Sequence, residues 1–223
     1  MIKIKNVSII MLTLTVLIYV SVFAVTEEIN KDKHMQKFQE LHENYKSING
    51  KTFKLYWEDP EKLNVAVKQQ MKKLFIDSFV LQYRTNKVMT DLTDIQIKND
   101  LENYFIKSIE PRFINNKKQY LLCARVKQRL FGFIFWEYLG DNQVYVAELV
   151  ISPNYWRQGL GTMFMKSIFN KKPNTKKIIL LTERENHGAK KFYEAIGYKS
   201  SIYKRKGYDK KKFYAYEMLV TKK

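Results

Sequence analysis

The sequence predicts an α/β domain built on one mixed, mostly antiparallel sheet with helices on its faces, in the order β-α-α-β-β-β-α-β-α-β-β. Three observations predict it. Residues 119–126, 130–139 and 143–151 are rich in aromatic and β-branched residues and are joined by only three residues each, connections that suit antiparallel neighbours. Before this meander, apolar residues recur twice at helical spacing behind recognisable caps. After it, a glycine turn opens a helix, and a further strand and helix follow.

The chain has 223 residues, 45% of them hydrophobic, enough for one full core and short of two comfortable ones. Composition divides it into an apolar segment 1–26, a charged segment 27–50 and a globular domain 51–223. Lys3 and Lys5 precede an apolar run from Val7 to Val25, and Val22-Phe23-Ala24 offers residues that a signal peptidase accepts, so a cleaved leader and an exported domain are one reading. A run of this length also crosses a hydrocarbon core of ~30 Å as a helix, so a retained anchor is the other, with the domain outside or on the cytoplasmic face. On that face a basic domain would lie against an anionic membrane surface. Within 27–50, Met35, Phe38, Leu41, Tyr45 and Ile48 fall three or four apart and Asn49-Gly50 is a helix stop, which predicts a short amphipathic connecting helix.

Residues 52–57 read as the first strand, closed by Asp59-Pro60, a cap followed by proline at the first helical position. Leu63, Val67, Met71, Leu74 and Phe75 form one face of the helix that follows. Thr93-x-x-Gln96 is a capping box; it opens a second helix carrying Ile97, Leu101, Phe105 and Ile109 and stopping before Pro111. After the meander come a helix from 161 to about 170, a strand at 177–182, a helix at 188–196, and two strands near Tyr198 and Phe213.

Forty Lys+Arg against 22 Asp+Glu leave a formal charge of +18, which draws anionic partners or simply keeps a lysine-rich surface solvated. The single cysteine, Cys123, excludes an intramolecular disulfide, and its apolar surroundings mark it as a buried thiol rather than a nucleophile. His34, His42 and His187 make no metal-ligand spacing with it, and neither HExxH nor CxxC occurs, so no metal is expected.

Pro153 ends the central strand of the domain, and Gln158-Gly159-Leu160-Gly161 opens the next helix. Glycine allows a close approach there, and the unpaired amides at the positive end of a helix suit a pyrophosphate. Arg157 could add a charge-assisted bond. In isolation, a ligand-free strand-to-helix turn has the same appearance. The order of elements and a second motif about twenty-five residues on, Asn186-x-x-Ala189-x-x-Phe192-Tyr193-x-x-x-Gly197-Tyr198, favour the ligand.

With both motifs in that order, residues 51–223 resemble the GNAT superfamily of acetyl-CoA-dependent N-acetyltransferases. The resemblance implies acetyl-CoA as acyl donor, bound by the backbone of Gln158, Gly159, Leu160, Gly161 and Thr162. It implies Asn186 on the pantetheine arm and Tyr193 beside the thioester sulfur. The chain departs from the family at Trp156, which stands where the turn usually carries Arg or Gln.

Acetylation of an amine needs a base, a donor to the carbonyl oxygen and a proton for the departing sulfur. Glu148 on the central strand is the candidate base, with Glu183 and Glu185 in reserve; the Ile151 backbone is the candidate donor and Tyr193 the candidate acid. The expected function is transfer of an acetyl group from acetyl-CoA to an amine of a small molecule or protein. By the same resemblance, Lys204-Arg205-Lys206 and Lys210-Lys211-Lys212 border the acceptor side, where they would oppose a polycation. A non-catalytic acyl-CoA-binding module acting at a membrane or, less readily, on nucleic acid is the alternative.

Overall fold

A computed structural model of the chain describes residues 44–113 and 118–220. Eight strands form one sheet: β1 (Asn44–Lys46), β2 (Thr52–Glu58), β3 (Gln119–Val126), β4 (Arg129–Gly140), β5 (Gln143–Ile151), β6 (Lys177–Glu183), β7 (Lys199–Ser201) and β8 (Phe213–Leu219). Their spatial order is β1-β2-β3-β4-β5-β6-β8-β7, and among them only β5 and β6 pair in parallel. Among the described residues four α-helices accompany the sheet: α1 (Val65–Thr85), α2 (Asp94–Tyr104), α3 (Leu160–Lys171) and α4 (His187–Ala195). The mixed, mostly antiparallel sheet of the sequence reading is present, with one more strand at its start.

Three of the four helices, α1, α2 and α4, begin where a side chain satisfies an amide that the helix itself cannot. Asn64 Oδ1 accepts from Val67 N at 2.9 Å to start α1. The capping box holds α2, with Gln96 Oε1 accepting from Thr93 N and Thr93 Oγ1 accepting from Gln96 N. The Asp59-Pro60 pair opens only a single 3-10 turn, Pro60–Lys62, so Leu63 is buried outside the helix rather than on its face. At its far end α2 widens into a π turn at Phe105–Ile109 and then tightens into a 3-10 turn at Glu110–Phe113. Phe105, Ile109 and Phe113 stay buried through this irregular stretch, and Arg112 between them reaches Glu148 of β5.

The period-two pattern of the strands divides the core between the sheet's two faces. Phe133, Phe135 and Val150 pack under α1 and α2 with Met71, Phe75, Ile97 and Leu101. On the other side Ile134, Trp136, Val144 and Val146 pack against Leu160, Phe164 and Ile168 of α3 and Tyr193 of α4. Cys123 lies fully buried in the first cluster, and burial pushes its thiol up to about 12, as expected of a thiol that takes no part in chemistry.

The helix expected over the end of 27–50 is not formed at residues 44–46. These are β1, paired antiparallel with β2 through Tyr45↔Phe53. The leader or anchor expected at 1–26, and the rest of the connecting segment to residue 43, lie outside the described residues. Among the described residues no helix is long and apolar enough to cross a membrane.

Candidate active site

β5 carries one residue more than the stretch of β4 beside it. Trp136 faces Val146 and Phe135 faces Glu148, so Ala147 is the extra residue of a β-bulge. A bulge bends its strand, and here the parallel ladder to β6 ends at the same place: the four pairs from Gln143↔Lys177 to Val146↔Leu180 have no successor. From Ala147 onward β5 follows β4, while β6 stays with β8 through Glu183↔Phe213. A cleft therefore opens between residues 147–151 and 181–183.

The groups on the cleft's β5 wall follow from the ladder. Ser152 N donates to Phe131 O at 2.8 Å, and antiparallel alternation then directs the backbone N–H and C=O of Ile151 and Leu149 away from β4, toward the opening. The Ile151 carbonyl is taken by two donors, Ser78 Oγ at 3.2 Å and the Trp156 indole N–H at 2.8 Å. These fix the strand end and leave the Ile151 amide, together with the backbone groups of Leu149, presented to the cleft. Trp156 thus has a structural task, on the backbone rather than toward the turn's opening.

Glu148 is buried on the face shared with α1 and α2. Its ion-pair partner is Arg112 Nη1, 3.9 Å from Oε1, beyond hydrogen-bonding reach. Burial raises its pKa to about 7; Arg112 offsets part of that rise and Glu183 adds to it. Glu183 is raised in the same direction by burial, but both of its oxygens are engaged, by Tyr83 Oη at 2.8 Å and Gln82 Nε2 at 3.3 Å. Glu185 is exposed beside His187. Of the three carboxylates in the sequence reading, Glu148 alone combines burial, an unsaturated hydrogen-bonding capacity and a value near neutrality.

Tyr193 approaches from the opposite face, in the α3/α4 cluster beside Phe192, Tyr198 and Tyr216. Burial, with a smaller contribution from the Glu148 charge, holds its phenol well above the ordinary range. It therefore keeps its proton at neutral pH.

The turn before α3 has the form the sequence predicts. Gly159 is the N-cap with φ +84°, and the first intrahelical bond runs from Met163 N to Gly159 O at 3.0 Å. The amides of Leu160, Gly161 and Thr162 consequently have no partner within the helix. A Cβ on Gly161 would lie 3.0 Å from Phe192 Cζ and 3.2 Å from Ile151 Cδ1, so α4 and β5 close on the turn as tightly as glycine permits. The Gln158 carbonyl is tied to the start of the sheet: it accepts from Tyr45 Oη at 3.0 Å and from Ile48 N at 3.4 Å. Arg157 stands exposed beside it. Asn186 Oδ1 is committed to capping α4, accepting from Ala189 N at 2.9 Å, which leaves only its Nδ2 to act on anything outside the helix.

Three free amides, two glycines and an adjacent arginine are what a diphosphate-bearing ligand requires, so these residues fit acetyl-CoA. Among the described residues no group of three or more His, Cys, Asp or Glu is assembled to hold a metal ion. Arg112 and Ser78 are residues of this constellation that the sequence reading did not single out, and Tyr45 is one that it placed in the connecting helix rather than at the site.

Several solved structures share this architecture. The PaiA N-acetyltransferase of Thermoplasma acidophilum, solved in complex with coenzyme A, superposes with a TM-score of 0.58 at 15% identity, covering 74% of this chain and 99% of that one. A GNAT acetyltransferase of Staphylococcus aureus Mu50 gives 0.51 at 17% identity, over 75% and 99% of the two chains. A GNAT-family protein of Desulfovibrio desulfuricans, described as an acetyltransferase by similarity, gives 0.52 at 10% identity over the same shares. At these identities the likeness is one of fold. No curated protein matches the chain by sequence. The model of the acetyltransferase (GNAT) family, however, matches residues 85–198, more than half of the chain, from the end of α1 through the glycine turn to Tyr198, and the chain belongs to that family.

Proposed function

We propose that the protein transfers an acetyl group from acetyl-CoA to an amine, with Glu148 as base, the Ile151 amide as donor to the carbonyl oxygen and Tyr193 as acid. Family membership makes acyl transfer the reaction class. The observation that carries the residue assignment is the cleft between β5 and β6: a buried carboxyl near neutrality on one side, a protonated phenol on the other and a free strand amide between them.

Acetyl-CoA would supply the acyl group on a thioester, and the turn's amides from Leu160 to Thr162 would hold its diphosphate, with Arg157 alongside. A carboxylate with a pKa near the working pH both accepts a proton from an ammonium group and releases it, the condition for efficient general base catalysis. The Ile151 N–H is fixed by the ladder and by two bonds to its own carbonyl, so it donates without reorganising. The Tyr193 phenol has a proton to give to sulfur.

The segment between β7 and β8 lines a cleft of about 450 Å³ with Lys204, Lys206 and Lys210. Arg205 is already bound, donating to both oxygens of Glu137 at 3.0 and 2.9 Å. This wall argues against a polycationic acceptor. Residues 1–26 we assign as the segment that exports the domain or tethers it to a membrane, on their charge and apolar length.

The test is calorimetric titration of acetyl-CoA into the protein, followed by detection of free thiol with a panel of amines. Binding that Gly161→Glu abolishes, together with amine-dependent thiol release, is the expected result. Failure of acetyl-CoA and longer acyl-CoAs to bind would overturn the assignment.

A further inference from the structure

Arg112 is poorly served by its own protein. Its Nη1 is buried with no hydrogen-bond partner, and Glu148 at 3.9 Å is too distant to be one. Its Nη2 makes one long bond, 3.3 Å, to Tyr208 Oη. The Tyr104 and Tyr145 phenols lie near that oxygen: burial first, and Tyr208 among the lesser causes, raise the pKa of both. Arg112 Nη2 thus rests on a phenol that has a proton of its own and two lone pairs, with two further phenols nearby, while Nη1 has no hydrogen-bond partner. A buried guanidinium nitrogen without a hydrogen-bond partner is costly, and a guanidinium among three phenols is suited to a stronger acceptor.

We infer that Arg112, Tyr104 and Tyr145 form the binding site for a carboxylate of the acceptor, with the Tyr208 phenol occupying it in the free protein. This inference rests on the acetyl-transfer reading and specifies its acceptor. A carboxylate offers about four lone-pair positions, enough for both guanidinium nitrogens as a fork and for the two hydroxyls. Because Arg112 Nη1 and Glu148 Oε1 stand 3.9 Å apart, an amine on Glu148 and a carboxylate on Arg112 must be close neighbours in one molecule. An α-amino acid meets this, its nitrogen and carboxyl carbon lying about 2.5 Å apart across one carbon. Polyamines and simple alkylamines have nothing for Arg112.

Tyr208 lies in the loop between β7 and β8, half-buried, and also borders the lysine-lined cleft. Moving it aside exposes Arg112 toward that cleft. There Lys204 crowds Lys210 and lowers its pKa, an arrangement that an arriving anion relieves.

The experiment is thiol release from acetyl-CoA by the full chain. Each proteinogenic α-amino acid is compared with its methyl ester and its decarboxylated amine, with spermidine and ethanolamine phosphate alongside. The best amino acid should exceed its ester at least tenfold in kcat/KM. Arg112→Met should bring that ratio close to one; because it is a ratio, any change in Glu148 basicity cancels. Tyr208→Phe, which removes the competing oxygen, should keep the ratio and lower KM for the amino acid. Equal use of acid and ester by the unaltered protein, use of none of the amino acids, preference for spermidine or ethanolamine phosphate, or a ratio unchanged by Arg112→Met overturns the carboxylate site. If Arg112→Met does not fold, the acid-to-ester ratio of the unaltered protein decides. Acetyl-CoA that fails to bind refutes the acetyl-transfer reading itself, whereas acetyl-CoA that binds and reacts without regard to carboxylate refutes only this inference.

Discussion

Replacing Glu148 by glutamine should make the protein more stable, and only above a particular pH. A carboxyl whose pKa is raised from 4.5 to about 7 by folding opposes the folded state once ionised, by on the order of 3 kcal/mol at ~1.36 kcal/mol per pH unit. Between those two values the folded chain holds a proton that the unfolded chain has released. Stability therefore falls as pH rises through this window and levels off above about 7. Glutamine keeps the volume and cannot ionise. Urea unfolding at pH 4, 5, 6, 7 and 8.5 should show Glu148→Gln nearly equal to the parent at pH 4 and more stable by about 3 kcal/mol at pH 8.5, the other titrating groups being common to both proteins. The same substitution should abolish acetyl transfer, and kcat/KM of the parent should rise with pH through about 7. A stability difference that does not change with pH, or a variant weaker than the parent at pH 8.5, would refute the reasoning. Either would mean that Glu148 is ionised without cost as a structural partner of Arg112.

Tyr45→Phe removes the bond to the Gln158 carbonyl; at about 0.5–1.5 kcal/mol this should weaken acetyl-CoA two- to tenfold by calorimetry and leave kcat within twofold, whereas unchanged affinity would show that the turn keeps its shape unaided. Tyr193→Phe retains the buried ring and removes the proton, so kcat should drop about a hundredfold at unchanged acetyl-CoA affinity; a kcat near the parent's would assign the proton to water.

What was legible in the sequence was local. The capping box at Thr93, the meander from Gln119 to Ile151 and the burial of Cys123 depend on patterns within a few residues, and the structure has them. β1 was not legible: Leu41, Tyr45 and Ile48 recur at helical spacing, and only pairing with β2 makes a strand of residues 44–46. The start of α1 was misread in favour of Asp59-Pro60, although Asn64 three residues before Val67 carried the same signal and is the cap in fact. Glu148 could be proposed from its place on the central strand. Its surroundings could not, because Arg112, Tyr145 and Tyr208 come from the turn after α2, from β5 and from the last loop, and meet only through the fold. The bulge did leave a trace. Val144 and Val146 alternate, then Leu149 and Ile151 resume one position out of phase, and all four pack against the α3 side.

That phase slip makes the cleft a matter of number rather than of kind. Ala147 contributes a methyl group that dozens of other positions could supply, and exchanging it for another small residue would alter little. Deleting it would leave Glu148, Ile151, Tyr193 and the glycine turn all present, with Glu148 still on its own face, but it would straighten β5 and let the ladder to β6 run on toward Ile151, closing the space in which those groups meet. A survey of substitutions, however complete, would pass over this residue. Its contribution is a unit of length, visible only to an experiment that changes how many residues the strand contains.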